Sequence, residues 1–290
     1  MEKVRMMRGA VAVLVVAGAS SAFGQFAPAN PEWNRPVEPF RVAGNLYYVG
    51  VADVSSYLIT TPEGHILLDA GFRETAPIIE ANIAKLGFHV EDVRLLLISH
   101  GHYDHVGGVA AIKARTKAAL LANPVEAPLL ARGGKGDFAF KDAYPYPPLV
   151  PDRLLDDGEQ VRLGGTVMTA HFTPGHTQGC TSWTTTVKEA GKLLQVVIPC
   201  SISAPGYQLV DNPMYPEIQK DFEATFATLR ALPCDVFLGL HSWDFGLPQK
   251  IKARAANPGG NPFIDPEGYR RFLERGQAAI RELAAKQKPR

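Results

Sequence analysis

Ser99-His100-Gly101-His102-Tyr103-Asp104-His105 decides the reading of this chain. It closes a nearly continuous apolar run, Val93 to Ser99, of the kind that forms a strand buried on both faces. It precedes Val109 to Lys117, which reads as a helix. Three histidines and an aspartate packed between positions 100 and 105 are costly to bury unless something binds them. Imidazole nitrogen and carboxylate oxygen are ligands that zinc accepts. A loop at a strand end can aim alternating side chains at two neighbouring points. His100 and His102 are therefore expected to face one metal, and Asp104 and His105 a second.

One loop cannot complete either coordination sphere, so distant partners are required. Pro174-Gly175-His176-Thr177 follows one predicted strand and Gly239-Leu240-His241 closes another. Zinc catalysis wants three protein ligands and an open, water-bearing position. His100, His102 and His176 make one such set, and Asp104, His105 and His241 make the second. His65, His89 and His171 are single histidines, and a single histidine is more often a packed or solvated side chain than a ligand.

Around this segment the pattern mixes strands and helices in both halves, with no linker between them. Leu46–Val51, Ser56–Thr60, His65–Leu68 and Ala119–Ala122 read as strands, and Ala76–Leu86 as a helix stopped by Gly87. In the second half Gln160–Leu163, Thr166–Phe172, Thr181–Val187 and Leu193–Pro199 read as strands, with a hairpin turn at Glu189-Ala190-Gly191. Glu217–Leu232 is an amphipathic helix with Ile218, Phe222, Phe226 and Leu229 on one face. Cys234–Leu240 is expected as a buried strand and Pro266–Lys286 as a closing helix, whereas 27–39 and 131–151 lack periodicity and read as irregular. The expectation is one α/β sandwich.

The N-terminus differs in kind. Lys3, Arg5 and Arg8 precede an apolar run, Ala10 to Ala19, and small residues follow to Ala22. That order reads as a secretory signal peptide, cut after Gly24, and the run is shorter than the roughly 20 apolar residues of a membrane span. Residues 1–24 are thus expected to be the signal and 25–290 a single domain, exported to the periplasm and free of the membrane after cleavage. Without the signal, 27 Lys and Arg face 28 Asp and Glu, and no basic run remains. There is no electrostatic footprint for nucleic acid.

His-x-His-x-Asp-His, then Gly-His-Thr and a late His, resembles the metallo-β-lactamase superfamily. The resemblance implies a four-layer αββα sandwich with a dizinc site at the sheet edge. Ser201-Ile-Ser-Ala-Pro-Gly-Tyr-Gln-Leu209, Asn212-Pro213 and Leu232-Pro-Cys-Asp-Val236 are similar to the third subclass of class B β-lactamases. In that group an aspartate and two histidines bind the second zinc, with no cysteine. The resemblance implies that Ser201 and Ser203 receive the carboxylate of a β-lactam and that Tyr207 helps to polarise its carbonyl. It also implies that the loop at 131–148, with Phe138, Phe140 and Tyr144, walls the groove. Two zinc ions sharing a water of lowered pKa would then open the lactam amide, with Asp104 ligating and orienting the attacking oxygen. Asp69 reads either as a support for the site or as a turn aspartate. A small-molecule β-lactam substrate (penicillin, cephalosporin or carbapenem), antibiotic resistance and a monomeric enzyme are the corresponding expectations.

Two rivals remain. Another hydrolase of this fold would cleave a thioester, lactone or phosphodiester, and several such relatives carry a metal-bridging aspartate where this chain reads Ile198-Pro-Cys-Ser-Ile-Ser203. A zinc-storing protein would tend to close its coordination spheres. Among the three cysteines, Cys180 and Cys200 lie equally far from residue 190, so a cross-strand disulfide is one expectation and a zinc-ligating Cys200 its competitor. Cys234 has no evident partner.

Overall fold

The computed structural model describes residue 26 and residues 28–288. The signal-peptide expectation for 1–24 lies outside the described residues. The first sheet has seven strands in sequence order: β1 (Phe40–Ala43), β2 (Leu46–Tyr48), β3 (Tyr57–Thr61), β4 (Gly64–Leu68), β5 (Val93–Leu97), β6 (Ala119–Ala122) and β7 (Arg153–Leu154). β1 to β4 form an antiparallel meander, and β4 to β7 run parallel. The second sheet has the order β12-β11-β10-β9-β8, built from β8 (Gln160–Leu163), β9 (Thr166–Phe172), β10 (Thr181–Glu189), β11 (Lys192–Ile198) and β12 (Val236–Phe237). Only β11 and β12 pair in parallel there.

Alternation along the central strands explains the layering. Ile59, Ile66, Leu68, Leu97 and Leu121 face the second sheet and pack with Met168, Ala170, Trp183 and Val187. Their neighbours Leu58, Leu67, Leu96 and Leu120 point the other way. There they meet Ile79 and Ile83 of helix α1 (Ala76–Lys85), and Val109 and Ile112 of α3 (Val109–Thr116). The short α2 (Tyr103–Val106) and α4 (Ala127–Ala131) lie in connections on this side. α5 (Ile218–Ala231) and α8 (Pro266–Gln287) cover the second sheet, with Phe222, Phe226, Phe272 and Leu273 joining the same core. α6 (Ser242–Phe245) and α7 (Leu247–Ala256) fill the connection before α8. The layers are therefore helices, sheet, sheet, helices, as the family resemblance implies. No helix among the described residues is long and apolar enough to cross a membrane.

Several elements differ from expectation, the short α2, α4 and β7 among them. Cys234–Leu240 contributes only Val236 and Phe237 to the sheet, because the chain then leaves it: Leu240 O accepts from Ser55 N at 2.8 Å and His241 bridges Val54. β1 emerges directly from the Pro-rich lead. Residues 242–256, given no element in the sequence reading, form α6 and α7, separated by Gly246 in the left-handed region (φ 68°).

Trp183 fastens the two sheets. Its indole is fully buried, and Nε1 donates to Ile98 O at 3.0 Å, two residues before His100. Burial of a side chain of 150–250 Å² contributes about 4–6 kcal/mol as an upper bound. Beside it, Thr181 N donates to Ser99 O at 2.8 Å. Cys180 and Cys200, just beyond the ends of the β10–β11 hairpin, form a disulfide with Cα atoms 5.9 Å apart. Cys234 is free.

Candidate metal centre

His100 and His102 leave the end of β5 in an extended run, and His102 is the N-cap of α2. The single turn of α2 then swings Asp104 and His105 away from that pair. His176 follows β9, and His241 caps α6. Six side chains from both halves of the chain thereby meet at one edge of the sandwich, in two sets: His100, His102 and His176, then Asp104, His105 and His241.

Within each set, one ligand atom per residue lies within 4.8 Å of the others. In the second set His105 Nε2 and His241 Nε2 are 3.3 Å apart, and Asp104 Oδ2 is 3.6 and 3.7 Å from them. For zinc bonds of about 2.0–2.1 Å, neighbouring corners of a tetrahedron are about 3.3–3.4 Å apart. In the first set His102 Nδ1 faces His176 Nε2 at 3.1 Å, and the buried Nε2 of His100 has no hydrogen-bond partner. Converging imidazole nitrogens, one of them orphaned in the interior, fit a bound metal and fit little else. Three protein ligands per set leave a coordination position open in each.

The electrostatics agree with that use. Burial, reinforced by the neighbouring histidines, holds His100 and His176 well below the usual imidazole range, so both are neutral and able to ligate. Burial works against the Asp104 charge, but His105 and His241 more than offset it and keep its carboxyl below the usual carboxylate range.

The outward nitrogens of His100, His176 and His241 are hydrogen-bonded, which fixes tautomer and orientation, while those of His102 and His105 approach carboxylates without a hydrogen bond. His100 Nδ1 lies 2.9 Å from Ser99 Oγ, which donates to Asp69 Oδ2 at 2.6 Å. Asp69 also takes the Ser99 N–H at 2.7 Å and approaches His105 Nδ1 at 3.3 Å. It sits at φ 56°, so the turn aspartate and the supporting aspartate of the sequence reading are one residue. His102 Nε2 is 3.6 Å from Asp137, His176 Nδ1 donates to Ser203 O at 2.8 Å, and His241 Nδ1 donates to Asp53 at 2.9 Å. Glu126, buried, accepts from Gly101 N with Oε1 (2.5 Å) and from Gly179 N with Oε2 (2.9 Å), joining the loop of His100 and His102 to the loop of His176. A Cβ at 179 would lie 2.4 Å from that carboxylate, so the close approach requires glycine. Asp53, Glu126 and Asp137 were not singled out from the sequence, because no spacing links them to the histidines.

Ser201 is buried and Ser203 exposed at the mouth of the site, the Ser203 hydroxyl 3.4 Å from His176 Nδ1. Tyr207 is buried, its ring 5.7 Å from that of His176, and its hydroxyl donates to His176 O at 3.1 Å. In this arrangement it holds the His176 loop, and a role in polarising a carbonyl requires it to leave that bond. Phe140 packs 5.0 Å from the His102 ring, Tyr144 stacks on Tyr103 at 4.6 Å, and Phe138 meets Tyr207 and Tyr215. Cys200 Sγ lies 3.7 Å from His100 Nδ1, but its valence is spent in the disulfide, which closes the reading of Cys200 as a ligand. His65 packs on Phe88 and His171 meets Thr184, both outside the two sets.

Comparison with known proteins agrees with this geometry. Residues 49–189 match the metallo-beta-lactamase superfamily. The native FEZ-1 metallo-beta-lactamase from Legionella gormanii superposes with a TM-score of 0.85 at 44% identity, covering 88% of this chain and 98% of that one. BJP-1, a subclass B3 metallo-beta-lactamase of Bradyrhizobium japonicum, gives 0.83 at 38% identity, covering 88% and 97%. A hydroxyacylglutathione hydrolase of Pseudomonas aeruginosa is 37% identical over 84 residues, and the match spans only 25% of that protein. At such identity over nearly the full length of solved relatives, the chain belongs to the metallo-β-lactamase superfamily and groups with its subclass B3 members.

Proposed function

We propose that the protein hydrolyses the amide bond of β-lactams with two zinc ions, in the periplasm and as a monomer. The observation that carries the reading is the pair of three-residue sets, with the Ser203 hydroxyl 3.4 Å from His176 Nδ1 and both Ser201 and Ser203 lining a cavity with His241. His100, His102 and His176 would hold one ion, and Asp104, His105 and His241 the other. Zinc so held supplies Lewis acidity and lowers the pKa of water towards neutrality.

The chain's own residues do the rest. Ser201 and Ser203 bind the carboxylate of the substrate and so set the lactam carbonyl against the ligand cluster. Asp104, the carboxylate among the ligands, orients the attacking water. Phe138, Phe140 and Tyr144 cover the cleft from the opposite side and exclude solvent. The disulfide supports an oxidising compartment, in keeping with the signal-like N-terminus.

The partial similarity to a thioester hydrolase favours one rival, but among the described residues Asp104 is the sole carboxylate in the two ligand sets. The deciding experiment offers purified mature protein a carbapenem, a cephalosporin, a glutathione thioester and a lactone, with and without chelator. Lactam turnover that disappears with chelator and returns with zinc is expected. Cleavage of the thioester or lactone alone by zinc-loaded protein would overturn the reading of substrate and leave the metal site intact.

A further inference from the structure

Next to the ligand cluster a cavity of about 410 Å³ opens between the 201–205 loop and α8. One wall is continuous with the site, because Ser201, Ser203 and His241 line it. The opposite wall is the face of α8 that carries Arg275 and Leu283, and Trp243 closes one end. The helix approaches closely at this turn: a Cβ at Gly276 would lie 2.3 Å from Ile202 Cδ1. That contact brings the preceding residue, Arg275, to the edge of the loop that presents the serines.

The charge of the cavity is one-sided. Arg275 is exposed and has no ion-pair or hydrogen-bond partner among the described residues. Neighbouring acids are engaged elsewhere: Glu274 with Arg270 at 3.0 Å, and Asp265 with Lys250 at 2.8 Å. Asp244, the carboxylate on the lining, turns Oδ2 back to the His241 N–H at 3.0 Å. Trp243 is 55% exposed, lies nearly parallel to the His241 ring at 4.3 Å, and is braced edge-on by Trp33 at 5.3 Å. It offers a flat, fixed apolar wall beside a free guanidinium.

On the reading of function above, on which this inference rests, the lactam carboxylate sits at Ser201 and Ser203. A side arm on the ring atom next to the carboxylate-bearing carbon then projects past the serines into this cavity, away from the aromatic loop at 138–144. We propose that the cavity is a subsite for an anionic side arm of the substrate, with Arg275 as its counter-ion and Trp243 as the surface on which the arm packs. Arg suits the role, since its planar fork binds carboxylate or sulfonate oxygens in pairs.

The test uses two cephalosporins that differ only in that arm, one ending in a sulfonate and one in a neutral carboxamide. Their kcat/KM ratio is measured for the parent protein, Arg275→Gln and Arg275→Glu. The anionic-to-neutral ratio is expected to fall about threefold to tenfold in R275Q and further in R275E. Added salt should lower the ratio in the parent and leave it flat in R275Q, a response that a merely structural role would not produce. Turnover of both compounds with the same ratio in all three proteins would overturn the subsite and leave the lactamase reading standing. No turnover of either compound by zinc-loaded parent would overturn that reading and the subsite with it.

Discussion

Replacing Glu126 by Gln keeps the shape of the side chain and removes its charge and one of its two acceptors. In the parent, the two carboxylate oxygens take the N–H groups of Gly101 and Gly179, and the side chain is buried. A glutamine satisfies one of these groups, and its own NH₂ then confronts the other, donor to donor. The lost charge-assisted bond costs about 1.5–3 kcal/mol, and a buried N–H left without a partner about 1–3 kcal/mol more. Against this stands the lower cost of burying a neutral amide, since burial already pushes the Glu126 carboxyl up. A net loss of about 2–4 kcal/mol is expected. Over the roughly 260 described residues the unfolding entropy is about 0.55 kcal/mol/K, so the melting temperature falls by about 4–7 °C. The second effect is on the metal. Gly101 separates His100 from His102, and Gly179 lies three residues beyond His176, so Glu126 sets the spacing of all three imidazoles. Supporting contacts of this kind change metal affinity by about 10–100-fold. Zinc titration against a chromophoric chelator, run beside thermal melts, reads both effects. An E126Q protein that melts within a degree of the parent and binds zinc as tightly would refute the reasoning.

Breaking the Cys180–Cys200 bond, by Cys→Ala at both positions, frees a loop of sequence separation 20 in the unfolded chain and should cost about 3 kcal/mol, or about 6 °C in calorimetry. Asp53→Asn removes the charge that orients His241 Nδ1, so zinc affinity at the Asp104, His105 and His241 set should weaken by about 10–100-fold while the His100, His102 and His176 set holds, a split that competitive titration resolves. Tyr48 and Tyr57 are held above the usual phenol range, first of all by burial. The unfolded chain therefore sheds these protons first, and melts across pH 8 to 11 should show no loss from this source below about 9 and a fall beyond about 10. Trp183→Phe leaves Ile98 O unpaired and should cost about 2–3 kcal/mol and weaken zinc binding, whereas Ile79→Ala, under α1 on the far side, should cost about 2–5 kcal/mol in melts and leave zinc affinity unchanged. Equal loss of zinc affinity in both would tell against local wiring between Trp183 and the site.

The parts of the fold legible in the sequence are those governed by local chemistry. β6 is an unbroken apolar run, β8 alternates polar and apolar residues, and β9 is mostly β-branched or apolar, and the ends of all three match the expected ones. The turn at Ala190 and Gly191 needs two left-handed residues in a row, and the sequence offers a glycine there (φ 47° and 82°). The ligand cluster is legible because a metal demands several donors within one loop. β12 is not, since the apolar run through Leu240 continues past the point where the chain abandons the sheet for Ser55 and Val54. That departure is decided by a contact some 185 residues away in sequence, between Ser55 and Leu240, and no window of local pattern contains it. The same holds for Asp53, Glu126 and Asp137. Each is an ordinary acidic residue in a loop, and only the folded chain shows that each closes on a histidine or on the backbone beside one.

The two ligand sets are also the seam between the halves of the chain. Four candidate ligands lie at 100–105, at the end of a strand of the first sheet, while His176 and His241 follow strands of the second. A metal bound by both groups joins the sheets at their edge, where Trp183 and the 180–200 disulfide join them a few residues behind. Metal binding and sheet packing are therefore one linked equilibrium, and whatever loosens the contact of β10 with the end of β5 must lower metal affinity by the same free energy that the metal returns to the fold. The linkage also accounts for where the supporting carboxylates come from. Asp53 reaches across to the His241 loop and Glu126 to the His176 loop, both from connections of the first sheet. Each one crosses the seam, so the groups that orient the ligands also hold the halves in register.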